Sequence, residues 1–410
     1  MLNQIEAVAT PFAPLIGVAP LMRRAFLKED LKPLGQLLLA RVRENPTDAN
    51  AYLDCSTVLQ LTGDHDIALA VQAQAIRIQP FYRLPAEAAT PGLRLLVIMG
   101  PGDLMANTPI EFLVENSDVS LELLYLTLDA HWPEVVPDHD VMMVAVAESE
   151  PNQPLLRRLA GLVAAWPRPV INLPEAIAVL SRDGVCAALQ GVPGLNMPMT
   201  ARITRAGLQA LGDDAAAVGS FLPQDDFPLI VRPIGSHAGH DLEKMAGREE
   251  IAGYLARADA PDFYISRFVD YRSADGLFRK YRVAMVEGQP FLCHLAMSSH
   301  WMIHYLNAGM DESAEKRAEE AAGMAGFEAG FAARHAAALQ AIHQRMGLSY
   351  LGIDCAETGD GELLIFEVDN SMIVHAMDDE QRYPYKKPAM RKVFSAFRAM
   401  LENARADAGR

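Results

Sequence analysis

The first 90 residues carry apolar positions at helical spacing. Two amphipathic stretches, 49–61 and 66–78, are joined at Gly63-Asp64, and their apolar residues recur every three or four positions. This pattern predicts an N-terminal helical domain over residues 1–90.

Beyond this segment the pattern changes to short apolar runs that alternate with helical patterns. Leu93–Met99 is a run typical of a strand buried on both faces. The remaining runs are 123–126, 141–146 and 170–173, with a helix predicted over 154–166. Alternation of this kind predicts a parallel, somewhat Rossmann-like α/β unit over residues 91–198. The turn that follows the first run, residues 100–103, lies where ligands often bind in open α/β sheets.

From residue 199 onward the chain changes to short strands in hairpins. The candidate strands are 226–233, 263–269, 280–287, 290–298, 350–357 and 362–369. Between them, residues 313–346 are rich in Ala and Glu and predict a helix that breaks near 323–330. The fold class that we expect is therefore an α/β unit followed by an α+β domain over 199–410, both preceded by the helical domain.

Composition and charge restrict the function. The chain has 410 residues, half of them apolar, and a net charge of −16 from 52 acidic and 36 basic residues. This balance argues against nucleic acid as a partner, since such proteins need basic surface, but it allows a small anion in a local basic pocket. The four cysteines are scattered without metal-ligand spacing, which is typical of reduced core residues. We see neither a signal peptide nor a membrane span and expect a cytoplasmic protein.

The segment 350–370 carries the most specific chemistry. Asp360-Gly361 between two apolar runs predicts a two-residue hairpin turn. In that register Asp354 lies directly opposite Glu367, and two facing carboxylates repel each other unless a cation lies between them. Strand alternation puts Asp369 on the same face as Glu367, whereas Asn370 points away unless the strand ends or bulges there. Convergent carboxylates suit Mg²⁺; the alternative is a solvated acidic face.

At these residues the sequence resembles the ATP-grasp superfamily, which includes glutathione synthetase and D-alanine–D-alanine ligase. Those enzymes hold magnesium with an Asp on one strand and Glu-x-Asn on the next. The resemblance implies ATP with Mg²⁺, or Mn²⁺ in its place, and the metal ligands Asp354, Glu367 and Asp369 or Asn370, although Asp369 stands where the family has Asn. It also implies a pre-ATP-grasp domain at 91–198, a lid at 199–270 and a metal-binding subdomain at 271–410.

A second resemblance concerns the N-terminal helices. Pro46 and Pro80 lie 34 positions apart and bound the predicted helix pair, so the segment resembles a tetratricopeptide repeat. A peptide-binding array and a helical cap packed on the next domain both remain open.

A Gly-containing loop follows the strand that ends at Arg232-Pro233. Exposed N–H groups of such a loop can wrap phosphates. The resemblance implies a flexible phosphate loop after a Lys-Pro pair, whose place Arg232-Pro233 takes here; the family's earlier phosphate lysine is also missing, and only Arg182 lies near its position. A plain hairpin is the alternative. The predicted phosphate contacts are Arg232, Gly235, Ser236, His237, Gly239 and Lys244.

The next segment matches the interdomain hinge of the family. There the resemblance implies that the backbone at Arg267, Phe268 and Val269 binds adenine and that Asp270 binds the ribose, against a simple strand end with a turn acid. Lys280 and Arg282 follow on one strand face. The resemblance implies that they contact phosphates or stabilise the acyl phosphate; an exposed basic strand face is the alternative.

The histidines need separate consideration. His300 and His304 have the spacing of a zinc pair on a helix, but no HExxH pattern or partner carboxylate accompanies these residues or His375. We therefore assign this region to the acceptor substrate pocket, with a core or lid segment as the alternative. The predicted substrate-binding residues are His294, His300, His304, Tyr305 and Asn307.

Together these expectations describe an ADP-forming carboxylate–amine ligase that acts through an acyl phosphate. The expected partners are a small carboxylate and an amine, or a peptide, without nucleic acid or membrane; a homodimer stays open. One alternative is a non-catalytic scaffold that binds nucleotide and uses the repeat-like helices. Another is an ATP-grasp enzyme that modifies a peptide or protein held by those helices.

Overall fold

The computed structural model describes the backbone of residues 3–5 and residues 12–88, 90–129, 132–133, 135–223, 226–236 and 239–407. His237, predicted for the phosphate loop, lies outside these residues. Within the described ranges no helix combines the length and the apolar character that crossing a bilayer requires.

Helices dominate the N-terminal region, as predicted. Its elements are β1 (Asn3–Ile5), α1 (Val18–Phe26), α2 (Lys32–Glu44), α3 (Ala49–Thr62) and α4 (His65–Ile78). The Asp48 carboxylate accepts a hydrogen bond from the Ala51 amide and caps α3. Gly63, with a left-handed φ of 97°, ends that helix. The two predicted helices are thus confirmed, while the repeat resemblance stays a prediction.

A five-stranded sheet follows, in the order β2-β4-β3-β6-β7. Its strands are β2 (Phe81–Leu84), β3 (Leu93–Met99), β4 (Val119–Tyr125), β6 (Val141–Val144) and β7 (Val170–Ile171). The intervening strand β5 (Val135–Pro137) pairs with β1 instead. The helices of this unit are α5 (Ile110–Leu113), α6 (Gln153–Val163), α7 (Pro174–Ile177) and α8 (Arg182–Leu189). β3, β4, β6 and β7 pair in parallel, as predicted. The prediction of helix up to residue 90 is wrong at β2, which pairs antiparallel with β4.

A small antiparallel sheet forms the next layer. After β8 (Leu195–Asn196), its strands are β9 (Thr200–Thr204), β10 (Leu229–Pro233), β11 (Glu243–Met245) and β12 (Asp262–Arg267), in the order β11-β10-β12-β9. The helices α9 (Arg205–Gly212) and α10 (Ile251–Leu255) cover it. Leu229, Val231, Phe263 and Ile265 alternate inward and give this layer its own buried core.

The last layer is a larger sheet in the order β14-β13-β15-β16-β8. Its elements are β13 (Phe278–Val286), β14 (Gln289–Ser298), α11 (Ala314–Gly326), α12 (Ala336–Met346), β15 (Tyr350–Glu357), β16 (Leu363–Asp369) and α13 (Lys386–Asp407). The predicted helix break is confirmed as a π-helical turn at Glu328–Ala332 between α11 and α12. The predicted succession of an α/β unit and an α+β region is confirmed.

The larger sheet and the α/β unit share a core. One buried cluster contains Val393 and Phe397 of α13, Leu95 of β3 and Ala284 of β13. Because α13 packs on both units, it holds the two sheets together. A cavity lies where these two sheets meet the small sheet and α1.

Candidate functional site

The hairpin β15–β16 brings Asp354 opposite Glu367, as predicted. Its turn differs from the prediction. The Thr358 amide, not that of Gly359, bonds the Glu362 carbonyl at 3.0 Å, and Gly361 takes a left-handed φ of 85°. The loop therefore has three residues, and a register shift between Asp354 and Cys355 restores the predicted pairing.

Four polar side chains form one row across the larger sheet. His294 on β14 pairs with Arg282 on β13, Arg282 pairs with Asp354 on β15, and Asp354 pairs with Glu367 on β16. Directly opposite residues share a face of the sheet. All four residues line the cavity, so the strand register alone builds this part of the site.

Asp354 is buried and holds two cations. Arg282 donates from Nε and Nη2 to the two carboxylate oxygens at 2.8 and 2.9 Å. Lys280 Nζ lies 2.7 Å from Oδ2. Burial alone would raise the pKa of Asp354, but the charges of Arg282 and Lys280 outweigh it and hold that pKa far below its usual range. Asp354 is therefore a permanent anion that fixes both predicted catalytic side chains.

Glu367 is paired with Arg182, the residue near the missing phosphate lysine. Burial would raise the pKa of Glu367, but the charges of Arg182 and Arg232 lower it. Arg232 is buried, and its Nε and Nη2 lie 3.2 and 3.1 Å from Ser236 Oγ. Burial, followed by the nearby charge of Arg182, lowers the pKa of Arg232 to about 10. Arg182, Arg232, Lys280 and Arg282 all line the cavity, a cationic surface suited to phosphate.

The last two predicted metal ligands point to different places. Asp369 lines the cavity and accepts from the Ser371 amide at 2.7 Å. Asn370 is fully buried, and its Nδ2 donates to the Val146 carbonyl at 3.1 Å. It therefore links the larger sheet to the end of the parallel sheet, as alternation along β16 predicts.

The fit of a magnesium ion follows from these contacts. Among the described residues, no three Asp, Glu, His or Cys side chains are grouped as a closed metal site. Both oxygens of Asp354 already accept from Arg282. Glu367 and Asp369 also line the cavity, and they too accept hydrogen bonds, from Arg182 and from Ser371. A carboxylate has several lone pairs, so these two groups fit an ion that takes its other ligands from phosphates and water, as Mg²⁺ does.

The hinge side of the cavity is aromatic. Arg267, Phe268 and Val269 line it, and the Phe268 ring makes an edge contact with Trp301 at 5.7 Å. Lys244 Nζ lies 3.8 Å from the centre of the Phe268 ring, and Lys244 itself does not line the cavity. Asp270 does not line the cavity; its Oδ1 accepts from the Arg272 amide at 3.1 Å.

Of the predicted loop residues, Arg232 and Gly239 line the cavity, whereas Gly235 and Ser236 do not. Gly235 and Gly239 both have positive φ, 78° and 75°, so this backbone turns in a way that favours glycine. Ser236 contacts the cavity indirectly, through Arg232.

The predicted acceptor residues are only partly brought together. His294 and Tyr305 have ring centres 4.6 Å apart, and both line the cavity with His304 and Asn307. Burial, then the charges of Arg282 and Lys386, hold the pKa of His294 well below its usual value, so this ring is neutral. His300 is exposed and lies outside the cavity lining.

Sequence reasoning missed a buried ionic network beside this pocket. Glu320 is fully buried and accepts from the hydroxyls of Tyr305 and Tyr385 at 2.9 and 2.8 Å. Lys386, only 3% exposed, lies 3.1 Å from Asp378 and 3.7 Å from Glu320. No local motif marks these residues, because they come from separate polar segments. The network fixes the Tyr305 ring that packs on His294.

Comparison with known proteins gives likeness at the level of structure. No protein-family model and no curated protein matches the chain. It is similar to a D-alanine–D-alanine ligase from Bacillus anthracis complexed with ATP, at 14% identity and a TM-score of 0.46, over 77% of this chain and 99% of that one. It is also similar to the VanG D-Ala:D-Ser ligase from Enterococcus faecalis, at 12% identity and a TM-score of 0.45, over 75% of this chain and 99% of that one.

A third solved structure is a RimK domain protein ATP-grasp from Sphaerobacter thermophilus. It is 12% identical, with a TM-score of 0.42, and the match covers 74% of this chain and 98% of that one. Likeness at these values fixes neither the substrates nor the reaction of this chain.

Proposed function

We propose that this protein is an ATP- and Mg²⁺-dependent ligase that joins a carboxylate to an amine and releases ADP. The observation that carries the proposal is the row of Arg282, Asp354 and Glu367, flanked by Arg182 and Arg232, in one large cavity. Cations and carboxylates in such proximity suit the phosphates of a nucleotide with its divalent ion.

ATP would lie between the hinge and this row. Phe268 and Trp301 offer an aromatic surface for adenine, and the backbone at 267–269 offers polar groups. Asp270, the ribose contact predicted from sequence, lies outside the cavity lining, so we assign no group to the ribose. The four cationic side chains would receive the phosphates.

Glu367 and Asp369 would hold Mg²⁺, or Mn²⁺ in its place. When bound, the ion neutralises phosphate charge. Asp354 has a different proposed task on the same face: it orients Arg282 and Lys280 through three contacts below 3.0 Å. Fixed cations of this kind stabilise charge as it develops without having to reorganise.

The proposed reaction has two steps. An oxygen of the substrate carboxylate attacks the γ-phosphorus and ADP leaves, which gives an acyl phosphate. The amine nitrogen then attacks the acyl carbon, inorganic phosphate leaves, and the nitrogen passes its proton to the departing phosphate. Arg282 and Lys280 would offset the negative charge in both steps.

An ADP-release screen with Mg-ATP and pools of carboxylates and amines tests the proposal, with mass analysis of any conjugate. We expect ADP release that requires both a carboxylate and an amine, and we expect Glu367→Gln to lower it at least about 100-fold. Glu357→Gln is the matched control, because Glu357 ends β15 in an exposed pair with Arg334. Equal loss in both variants would contradict the proposal.

A nucleotide-binding scaffold is the second candidate function. It is favoured by one observation. Both carboxylate oxygens of Asp354, a predicted metal ligand, already contact Arg282 and Lys280. ATP binding without ADP release, whatever carboxylate and amine are supplied, would support the scaffold. An enzyme acting on a peptide is tested in the same screen by adding peptide pools and removing the N-terminal helices.

A further inference from the structure

The cavity continues beyond the nucleotide end into a second space, which we call the far chamber. The whole cavity has a volume of about 1360 Å³. This volume exceeds the roughly 300–1,000 Å³ of ordinary small-molecule sites and leaves room for a second substrate. The far chamber is lined by Met22 and Phe26 of α1 and by Met310, Met372, Met377 and Met390.

Helix α1 is fixed in place as a wall of this chamber. The Glu111 carboxylate accepts from the amides of Val18 and Ala19 at 2.9 and 2.8 Å, at the first turn of the helix. Near the other end, the Phe26 ring lies 5.6 Å from the His375 ring. The N-terminal helical region is thus built into the cavity.

Two ion pairs lie beside the far chamber, and Lys28, Glu312 and Asp379 also line the cavity. Arg382 lies 3.2 Å from Asp311, and Lys386 lies 3.1 Å from Asp378. The apolar surface open to a ligand lies mainly on α1, where Phe26 is 38% exposed, because Met310, Met372, Met377 and Met390 are buried. Methionine side chains adapt to apolar groups of varied shape and contact aromatic rings favourably.

The position of the chamber decides which substrate it serves. The nucleotide takes the hinge and the cationic row, so the amine has to approach the acyl phosphate from the remaining side. His294 ends the row on that side and packs on Tyr305, and the Tyr305 ring lies 3.9 Å from Lys386 Nζ, which pairs with Asp378 beside the far chamber.

We infer that the far chamber binds the side group of the amine substrate, that this group is large and apolar, and that α1 sets this preference. The inference rests on the proposed ligase function and adds the class of its acceptor. It also gives the N-terminal helices a task in substrate selection.

The test compares leucinamide and phenylalaninamide with serinamide as acceptors for the full-length protein, with saturating Mg-ATP and a pool of carboxylates. We expect the two apolar amines to have KM values roughly tenfold or more below that of serinamide. Met22→Ala and Phe26→Ala should raise the KM for leucinamide about tenfold and change the KM for ATP less than about twofold. Arg24→Ala is the control, because Arg24 lies on the same helix, paired with Glu29 and outside the cavity lining.

A calorimetric titration of leucinamide onto the Mg-ATP-saturated protein separates this inference from the proposed function. Binding that Met22→Ala weakens, without ADP release from any mixture, would support the chamber and reject the ligase. ADP release that favours serinamide, or a leucinamide KM unchanged in both α1 variants, would overturn the chamber and leave the ligase standing. Absence of leucinamide binding together with absence of turnover would overturn both.

Discussion

The two ends of the cavity are built in different ways. The nucleotide end is a row of side chains on four neighbouring strands, from His294 to Glu367, whose positions follow from strand register. The far chamber is assembled from α1, the segment around residue 310 and the segment 372–390, which meet only in the folded chain. Pairs of charged residues on adjacent strands shape the first end, whereas side chains packed around a buried ionic network shape the second. The difference predicts distinct consequences when each end is altered.

The largest effect is expected from the ionic network at the far end. Lys386→Met leaves Glu320 and Asp378 buried without their cation, which should lower the free energy of unfolding by about 4 kcal/mol. Lys392→Met on the same helix should cost less than about 1 kcal/mol, because its pair with Glu328 is exposed. Denaturant titration measures both values. Equal costs would mean that the buried network does not hold the chamber.

At the nucleotide end, Arg282→Ala should reduce ADP release by about 100- to 1,000-fold, since it removes a fixed cation from the reacting groups. The control is Arg279→Ala on the same strand, because Arg279 pairs with Asp275 and Glu319 and does not line the cavity. Steady-state ADP release, with circular dichroism to verify folding, makes the comparison. A similar loss in both variants would point to a structural role for Arg282.

A histidine in the wall of the far chamber makes the stability of the protein depend on pH. Burial lowers the pKa of His375, in the wall of the far chamber, to about 4 from the usual 6.5. The unfolded chain therefore binds the proton first, so stability is full above about pH 6.5 and falls as pH drops towards 4, by up to about 3 kcal/mol. His375→Gln should flatten this fall in unfolding free energy measured between pH 7 and 4. His65→Gln, at an exposed position of α4, should keep the wild-type slope.

The smallest effect concerns the hairpin turn. Gly361→Ala should cost about 1 kcal/mol, because φ is 85° there and an added Cβ meets no other atom, so the cost is conformational alone. Gly359→Ala should change stability by less than about 0.5 kcal/mol, since its φ is not positive. Thermal unfolding of both variants makes the comparison; an equal or larger cost for Gly359→Ala would contradict the left-handed backbone conformation at Gly361.

The nucleotide end could be predicted from sequence because its information is local. Asp360-Gly361 marks a turn, and alternation then puts Asp354, Glu367 and Asp369 on one face and turns Asn370 away. The length of the loop was wrong, yet the register shift next to Asp354 cancels that error. No local sequence pattern predicts such a bulge.

The far end could not be predicted in this way. Met22 and Met377 are separated by most of the chain, and a scattered methionine is indistinguishable from a core residue in sequence. Lys386 and Glu320 meet because α13 returns to α11, which depends on tertiary packing. The strand β2 was missed because its four residues follow a strongly helical region, and pairing with β4 decides its conformation.

The central claim is that the strand-built end binds ATP together with a divalent ion. Calorimetric titration of ATP, in Mg²⁺ and in excess chelator, tests it on the wild type and on Glu367→Gln. We expect wild-type affinity at least about tenfold higher in Mg²⁺, and a much smaller difference in Glu367→Gln. Absence of ATP binding, or an equal gain from Mg²⁺ in both proteins, would contradict the claim.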